Sequence, residues 1–347
     1  MATPQQVTMT LAALATTNAA PHPPGEDPDE HAARIFAGIN SYLTDSGLAT
    51  SGTWAPVWLA LTSDSANLCY IAKNSAAGKN EFAVAIRGTS ASVLDILQDF
   101  EVGTVVPFTA GGSPSPISVS KGAMDAFTEI VNAQSPQTAN CGNYPGTTLI
   151  QALNSILGSA PTTPRPTVYV TGHSLGGCVA TMVSLYLQAQ SWTNTPAFAV
   201  YTFAAPTAGL DSFAQYFMSV KWAAYQRTVN AYDVVPQAWV KADLNAVTGW
   251  YPSPGPAATD EVKATIELLI GSAHGNAYVQ PGVAVLLNDD PAHPYQLYDP
   301  NLVNKTFKDF LGQMGFQHAN NTYLTLLGAP VIPAEPAMTA AGSRARR

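Results

Sequence analysis

The sequence predicts an α/β fold in which a mostly parallel central sheet is flanked by helices. The first observation is a strand that runs directly into a helix near the middle of the chain. Residues 167–171 alternate β-branched and aromatic side chains, as a short buried strand does, and apolar residues recur at helical spacing after Gly177. The second observation is that strand-like and helix-like segments alternate on both sides of this pair. Because parallel neighbouring strands need crossover connections, the alternation favours a parallel sheet covered on both faces.

The expected elements follow from hydrophobic periodicity and from the turn residues that bound each segment. Besides residues 167–171, strands are expected at Val57–Leu61, Leu68–Ala72, Glu81–Arg87, Ala197–Ala204 and Tyr225–Tyr232. Besides the helix after Gly177, helices are expected at Ala32–Leu43, Ala123–Val131, Thr148–Leu157, Ser212–Val220, Asp260–Leu269, Lys305–Met314 and Thr322–Leu327. The amphipathic stretch Ser92–Phe100 has two interpretations, a permanently packed core helix or a mobile lid with an apolar face.

Composition limits the classes of partner. The 15 basic and 23 acidic residues give a net charge of −8, which argues against nucleic acid and against docking on anionic membrane. Charged residues make up 11% of the chain against about 25% in typical soluble proteins. This low charge is compatible with an enzyme that acts on hydrophobic substrates and equally with an ordinary secreted hydrolase. The three cysteines, Cys69, Cys141 and Cys178, show no metal-ligand spacing, and a disulfide between the first two stays open.

The sequence predicts one large folded domain with an irregular segment at each end. Residues 1–28 are expected to form a flexible arm, residues 29–330 the folded domain, and residues 331–347 a disordered tail. Within the domain, the Pro- and Gly-rich segment of about residues 237–300 is interpreted as an insertion over one end of the sheet. No stretch reaches the ~18 apolar residues of a membrane span, and residues 1–20 make a poor secretory signal, so the compartment is left open.

The turn between the central strand and its helix carries the strongest chemical signal. It reads Gly172-His173-Ser174-Leu175-Gly176, a G-x-S-x-G pentapeptide in the strand–turn–helix context that a nucleophilic serine requires. The chain reverses so sharply there that the flanking positions need glycine, while the serine is strained with its hydroxyl lifted clear. The following helix directs its first N–H groups at negative charge that develops beside the serine. A Gly/Ser-rich turn without chemistry is the alternative, and the flanking elements favour Ser174 as a nucleophile.

A serine in this turn needs a base and an orienting acid, and in this topology they follow in the chain order serine, acid, histidine. Asp233 stands directly after a strong strand, where the acid belongs; its alternative role is a turn aspartate before Pro236. Three further acidic residues fit less well because they resemble cap and loop residues: Asp211, Asp289 and Asp290.

The same chain order excludes three histidines as the base: His22, His31 and His173. His318 lies in a short turn between two helical patterns near the end of the chain, where this topology delivers its histidine. His274, within the insertion, and His293, between Pro291 and Pro294, remain the alternatives.

Several motifs together resemble the class 3 lipase family, which includes the Rhizomucor-type fungal lipases and has the α/β-hydrolase fold. The matching pieces, in the family's order within residues 57–327, are Ala85–Ser90, Val119–Gly122, Val170–Gly177, Tyr201–Pro206, Arg227–Pro236, and His318 with Tyr323. The combination of Gly-His-Ser-Leu-Gly-Gly with Arg-Gly-Thr is far more specific than the pentapeptide alone.

The resemblance implies an ester hydrolase with Ser174 as nucleophile, Asp233 as acid and His318 as base. It also implies an oxyanion hole formed by Thr89 and the backbone N–H of Leu175. The family's lid helix matches residues 92–100 in position, although this stretch lacks the family's usual tryptophan. The sequence departs from the pattern again where Ala204 replaces the usual glycine and in the long Asp-to-His insertion.

The expected function is that of a carboxylic ester hydrolase, in the first place a lipase that cleaves acylglycerols through an acyl-enzyme, without a metal or organic cofactor. An acyl ester or lipid would be its substrate, with transient contact to the lipid interface. A short-chain or polymer esterase with a fixed, open site is the first alternative. A catalytically silent α/β-hydrolase scaffold used for binding is the second, because fold alone never proves activity. The sequence does not indicate the oligomeric state.

Overall fold

The computed structural model describes residues 2–16, 25–62, 67–88, 100–137, 141–290, 295–302 and 305–333. The strands are β1 (Trp54–Leu61), β2 (Leu68–Asn74), β3 (Glu81–Ile86), β4 (Val105–Phe108), β5 (Ile117–Ser120), β6 (Thr167–His173), β7 (Ala197–Phe203), β8 (Ala224–Asn230) and β9 (Ala284–Leu287). The helices are α1 (Pro4–Thr16), α2 (Pro28–Leu43), α3 (Lys121–Asn132), α4 (Leu149–Gly158), α5 (Leu175–Gln188), α6 (Asp211–Ser219), α7 (Lys241–Ala246), α8 (Asp260–Ser272), α9 (Phe307–His318) and α10 (Asn320–Leu326). Two short 3-10 turns lie at Val235–Gln237 and Val247–Gly249.

Seven strands form the main sheet in the order β1-β2-β3-β6-β7-β8-β9, and β4 and β5 form a separate antiparallel pair. The pairings from β3 to β9 are all parallel, while β1 and β2 add an antiparallel edge. The prediction of a mostly parallel sheet flanked by helices is confirmed.

The register of the parallel strands gathers their carboxyl ends at one edge of the sheet. Ile86 pairs with Gly172, and His173 pairs with Phe203 on the next strand. Loops that leave this edge therefore meet beside Ser174, which is where open α/β sheets place their ligand sites.

Each face of the sheet covers its own hydrophobic cluster, since successive strand residues point to opposite faces. On β3, Val84 and Ile86 belong to the cluster that α3, α4 and α5 complete, whereas Ala83 and Ala85 belong to the cluster under α1 and α2. A third cluster lies within the segment of about residues 237–300 and reaches Phe310 and Met314 of α9.

The prediction of a flexible arm over residues 1–28 is wrong for residues 4–16. Residues 4–16 form α1, and every residue from Thr8 to Ala15 is buried. The helix packs against β6 and β3 because its uncharged, apolar residues cover the alanine-rich face of the sheet. Residues 17–24 lie outside the described part of the chain. Asp27 then caps α2 by accepting hydrogen bonds from the N–H groups of Asp29 and Glu30.

The insertion and the tail also differ from expectation in part. The segment 237–300 does more than cover one end of the sheet, because β9 within it extends the sheet beside β8. In the expected disordered tail, Ile332 is buried, and its backbone N–H and C=O both bond the Asn321 side chain at 3.1 and 3.0 Å. Residues 334–347 lie outside the described part.

Cys69 and Cys141 do not form a disulfide. Both cysteines lie in the described part of the chain, as does Cys178, and all three are buried free thiols. None of the helices in the described residues is long and apolar enough to cross a membrane.

Candidate active site

Ser174 lies in a strained turn between β6 and α5. Its backbone φ is 58° and its ψ −134°, a conformation that a residue with a side chain rarely adopts. The surrounding backbone holds it there. Its N–H donates to the Phe203 carbonyl at 2.9 Å, and its carbonyl accepts from the N–H groups of Gly177 and Cys178 at 2.9 and 3.2 Å. The structure thus has the tight, strained turn that the pentapeptide predicts.

The flanking glycines are required by close backbone contacts. A Cβ atom on Gly172 would lie 2.2 Å from the Gly176 carbonyl oxygen, and one on Gly176 would lie 2.3 Å from the Ile86 carbonyl oxygen. A Cβ atom on Gly88 would lie 2.6 Å from the carbonyl oxygen of His173. Since backbone atoms cannot move aside as a flexible side chain can, these positions exclude any larger residue.

The structure brings the predicted serine, histidine and aspartate together. The Nε2 atom of His318 lies 2.8 Å from Ser174 Oγ, and its Nδ1 atom lies 2.9 Å from Asp233 Oδ2. All three side chains are buried, and Asp233 is completely so. His318 is the last residue of α9. This arrangement can pass a proton from a hydroxyl to an imidazole that a carboxylate orients.

The carboxylate of Asp233 has two partners besides the histidine. Its Oδ1 accepts the N–H of Val235 at 3.0 Å, and its Oδ2 accepts the hydroxyl of Tyr323 at 2.8 Å. The same Tyr323 oxygen accepts the N–H of Asn230 at 2.9 Å. Burial, and then the neighbouring carboxylate, holds the pKa of Tyr323 well above 10, so this hydroxyl stays a donor.

Asn230 and Gln317 are site residues that sequence reasoning missed. The Asn230 side-chain amide donates to the Gln317 backbone carbonyl at 2.9 Å and to its side-chain oxygen at 2.7 Å. These bonds tie the end of β8 to the residue that precedes His318. The signal in the sequence that could have identified Asn230 is its place as a polar residue at the end of a strand, three residues before the predicted acid Asp233.

His173, which the chain order excludes as the base, packs against His318, the predicted base. The two ring centroids are 4.7 Å apart, and the rings of His173 and Tyr323 meet at 83° with their centroids 5.4 Å apart. Burial, and then the neighbouring His318, lowers the pKa of His173 well below 6.5. His173 is therefore a neutral ring beside the imidazole of His318.

The predicted oxyanion hole is described only in part. Leu175 is the first residue of α5, so its N–H precedes the helix's internal hydrogen bonds and faces the turn. Thr89 and residues 92–99 of the expected lid lie outside the described residues. At the end of that stretch, Phe100 packs on Trp239 with a ring-centroid distance of 5.9 Å.

Metal ligands do not gather at this site or elsewhere in the described ranges. Among those residues, no group of three or more histidine, cysteine, aspartate or glutamate side chains is placed to hold a metal ion.

Comparison with known proteins finds similarity to the family that the sequence motifs resemble. Residues 83–242 match the family model described as lipase (class 3). The chain resembles the class 3 lipases, as its motifs predict. This matched range includes Ser174 and Asp233, whereas His318 lies beyond it.

Two curated relatives align with parts of the class 3 lipase-like chain. One is the secreted mono- and diacylglycerol lipase 1 of Fusarium solani, 40% identical over 81 residues, which are 23% of this chain and 23% of that protein. The other is a lipase of Rhizomucor miehei, 31% identical over 119 residues, which are 34% of this chain and 28% of that protein. The matches thus span about a quarter of the length of these relatives.

A solved structure matches over most of the chain. The crystal structure of M37 lipase has a TM-score of 0.75, at 20% sequence identity, and the alignment covers 94% of this chain and 92% of that one. This likeness shows a shared fold and confirms the α/β-hydrolase prediction.

Proposed function

We propose that this class 3 lipase-like protein is a serine ester hydrolase, and more specifically a lipase that acts on acylglycerols. The observation that carries the proposal is the hydrogen bond of 2.8 Å between Ser174 Oγ and His318 Nε2 in a strained turn before a helix. Its context supports it, because the opposite ring nitrogen of His318 meets a completely buried carboxylate.

In the proposed acylation step, His318 takes the Ser174 proton while the serine oxygen adds to the ester carbonyl carbon. The carbonyl oxygen becomes an oxyanion that accepts the Leu175 N–H, with Thr89 as the proposed second donor. When the tetrahedral intermediate collapses, the bond to the alcohol oxygen breaks, and that oxygen takes the proton from His318. An acyl-enzyme and a free alcohol result.

Deacylation repeats the same steps with water as the nucleophile. His318 takes a proton from water, the hydroxide adds to the acyl carbon, and the proton returns to Ser174 as the carboxylic acid leaves. In both steps Asp233 stabilises the charged imidazole and holds its Nδ1–H in place. The Tyr323 hydroxyl and the Val235 N–H keep the carboxylate fixed in that orientation.

Support for acylglycerols comes from the relatives, since one of them is named as a lipase of mono- and diacylglycerols and another as a lipase. The chain's low charge, 11% of its residues, is compatible with contact with a lipid interface. An esterase for short acyl chains has the same catalytic groups, so the preferred chain length is a question for experiment.

The test is hydrolysis of p-nitrophenyl butyrate and p-nitrophenyl palmitate, the latter also emulsified, by the wild type and by Ser174→Ala. We expect the wild type to hydrolyse both esters and Ser174→Ala to lose activity by up to ~10⁶-fold. Ser184→Ala is the matched control, because Ser184 is a buried serine on α5, the helix that follows Ser174, and among the described residues its hydroxyl donates only to the Thr181 carbonyl.

The ratio of the two rates distinguishes a lipase from a short-chain esterase. Activity on butyrate alone would replace the acylglycerol assignment with a short-chain esterase. A wild type that hydrolyses neither ester, with emulsified lipid present, would contradict the hydrolase proposal and favour a binding scaffold.

A further inference from the structure

The inserted segment of about residues 237–300 bonds the helix that carries the predicted base. The Gln296 carbonyl accepts the side-chain amides of Gln313 and Gln317 of α9, at 2.8 and 2.9 Å. The N–H of Tyr298 donates to the Gln313 side-chain oxygen at 2.9 Å. Both glutamines are buried and lie four residues apart, so they share one face of α9. The insertion is therefore fixed to this face of the helix.

Gln317 also bonds the central sheet. Its side-chain oxygen accepts the Asn230 amide at 2.7 Å. Asn230 is the last residue of β8 and lies three residues before Asp233. Among the described residues, Gln313 makes no such bond to the strand. The Gln317 side chain is thus a bridge between the Gln296 carbonyl of the insertion and the strand end from which the predicted acid follows.

The Asn230 amide also holds the last turn of α9. It donates to the Gln317 backbone carbonyl at 2.9 Å. The last four carbonyl groups of a helix have no partner within the helix, so a bond to one of them keeps the helix end in place. The next residue, His318, is the end of α9. A displaced final turn would therefore move His318 away from Ser174 and Asp233.

The buried amide of Gln317 makes a strict demand on geometry. A buried amide is tolerated only when its donors and acceptors are bonded, whereas an apolar side chain of similar size fills the space without that requirement. Both ends of this amide have partners, its nitrogen in the insertion and its oxygen on β8. A satisfied buried network of this kind rigidifies its surroundings and specifies one arrangement. The bridge therefore fixes the distance between the three segments that it joins.

We propose that Gln317 is a positioning residue for the base. It fixes the end of α9, and with it His318, between the insertion and the end of β8. The insertion thereby supports the catalytic geometry through the Gln296 carbonyl. This inference rests on the proposed ester hydrolysis, in which Gln317 itself takes no part in proton transfer.

The first test compares Gln317→Met with Gln313→Met in the hydrolysis of p-nitrophenyl butyrate. The two variants are matched, because each loses one bond to Gln296 and one further bond, to Asn230 or to Tyr298. We expect Gln317→Met to lower kcat about 10- to 100-fold and to keep KM within about twofold. Gln313→Met should keep kcat within about twofold of the wild type. Urea denaturation should show similar losses of stability in both.

A second variant removes the bridge from the strand side. Asn230→Ala should also lower kcat, and the double variant with Gln317→Met should be no slower than Asn230→Ala alone, because the bond between the two side chains is already absent. Losses of kcat that multiply in the double variant would contradict the bridge. Asn230→Ala replaces Gln317→Met if that variant does not fold by circular dichroism.

A third measurement does not depend on turnover. The Nδ1–H of His318 donates to a buried carboxylate and should give a far-downfield proton NMR signal, identified by its absence from His318→Ala. We expect Gln313→Met to keep this signal and Gln317→Met to broaden or lose it. A wild type that hydrolyses no ester would contradict the hydrolase proposal, while the signal would still decide the role of Gln317. A Gln317→Met variant with the wild-type signal would overturn the inference, as would one with the wild-type kcat.

Discussion

The buried carboxylate of Asp233 depends on the hydrogen bonds that surround it. Oδ2 accepts from His318 and Tyr323, and Oδ1 accepts from Val235. A charged group that is completely buried is tolerated only when such bonds replace its hydration. The Tyr323 hydroxyl, ninety residues along the chain from Asp233, therefore helps to hold the carboxylate that meets His318.

Tyr323→Phe should lower the free energy of unfolding by about 2–4 kcal/mol, because it removes a bond to a charged group and leaves the Asn230 N–H without its acceptor. Urea denaturation measures this change. Tyr295→Phe is the control, since that hydroxyl donates to the uncharged Pro252 carbonyl, and a loss of about 1 kcal/mol is expected. In ester hydrolysis, Tyr323→Phe should lower kcat while KM stays close to the wild-type value. Equal losses in the two variants would contradict the role of Tyr323.

The buried His173 side chain should make the protein less stable as the pH falls. Burial, then His318, lowers its pKa in the folded protein well below the value of 6.5 that it has when unperturbed. Below about pH 6.5 the unfolded chain therefore takes up a proton that the folded chain does not, and stability falls as the pH falls. We expect His173→Phe to lose less unfolding free energy than the wild type between pH 7 and pH 5 in urea denaturation. Identical slopes in the two proteins would contradict this account.

The residues of the proposed triad could be predicted because each has a local signal. Ser174 has its pentapeptide, Asp233 follows a strong strand, and His318 lies between two helical patterns near the end of the chain. The hydrogen bonds of Asn230 with Gln317 and Tyr323 could not be predicted from the sequence, because they join segments that lie about ninety residues apart in the chain. Such partners depend on how the elements pack.

Among the secondary-structure elements, the turn from β6 to α5 packs its backbone against the backbone at the end of β3. Its glycines let the turn approach the end of β3, and a Cβ atom on Gly176 would lie 2.3 Å from the Ile86 carbonyl oxygen. The local sequence predicts this unit well, since the alternating strand, the glycines and the helical repeat agree with one another.

Gly176→Ala should destabilise the protein by about 3 kcal/mol or more, because its Cβ would lie 2.3 Å from the Ile86 carbonyl oxygen. Gly315→Ala is the matched control. Gly315 lies inside α9 with no atom of the described chain within 4 Å of an added Cβ, so this change should stabilise by up to about 1 kcal/mol. Thermal unfolding measures both. Similar melting temperatures for the two variants would show that the turn does not need its glycine.

Other elements lacked a local signal for physical reasons. Residues 8–15 of α1 are buried all round, so this helix has no polar face and little amphipathic periodicity. Strands β4, β5 and β9 have four residues each, too few for alternation to stand out from a Pro- and Gly-rich background. The structure of these four elements, α1, β4, β5 and β9, depends on tertiary packing and not on their local sequence.

In the protein as a whole, α1 joins the two ends of the described chain on one face of the sheet. The Gln6 side-chain amide donates to the Leu327 carbonyl at 2.9 Å, and the Asn320 side-chain amide donates to Thr16 Oγ1 at 2.7 Å. Asn320 is two residues beyond His318. The N-terminal helix therefore supports the segment that carries the proposed base.

Leu11→Ala in the middle of α1 should cost about 2–5 kcal/mol, because Leu11 is fully buried and its loss leaves a cavity against the sheet. Leu268→Ala makes the same chemical change at a side chain that is 70% exposed and should alter stability by less than about 0.5 kcal/mol. Urea denaturation of both variants measures the difference. Equal stability of the two would mean that α1 does not contribute to the core.

Ser174, activated by His318 and Asp233, is the proposed nucleophile of an ester hydrolase. The most direct measurement is covalent labelling with diethyl p-nitrophenyl phosphate, followed by mass spectrometry of peptides. We expect one phosphoryl adduct per chain, on Ser174, and labelling that is much slower in His318→Ala because the serine then lacks its base. An unlabelled chain, or an adduct on another serine, would contradict the claim.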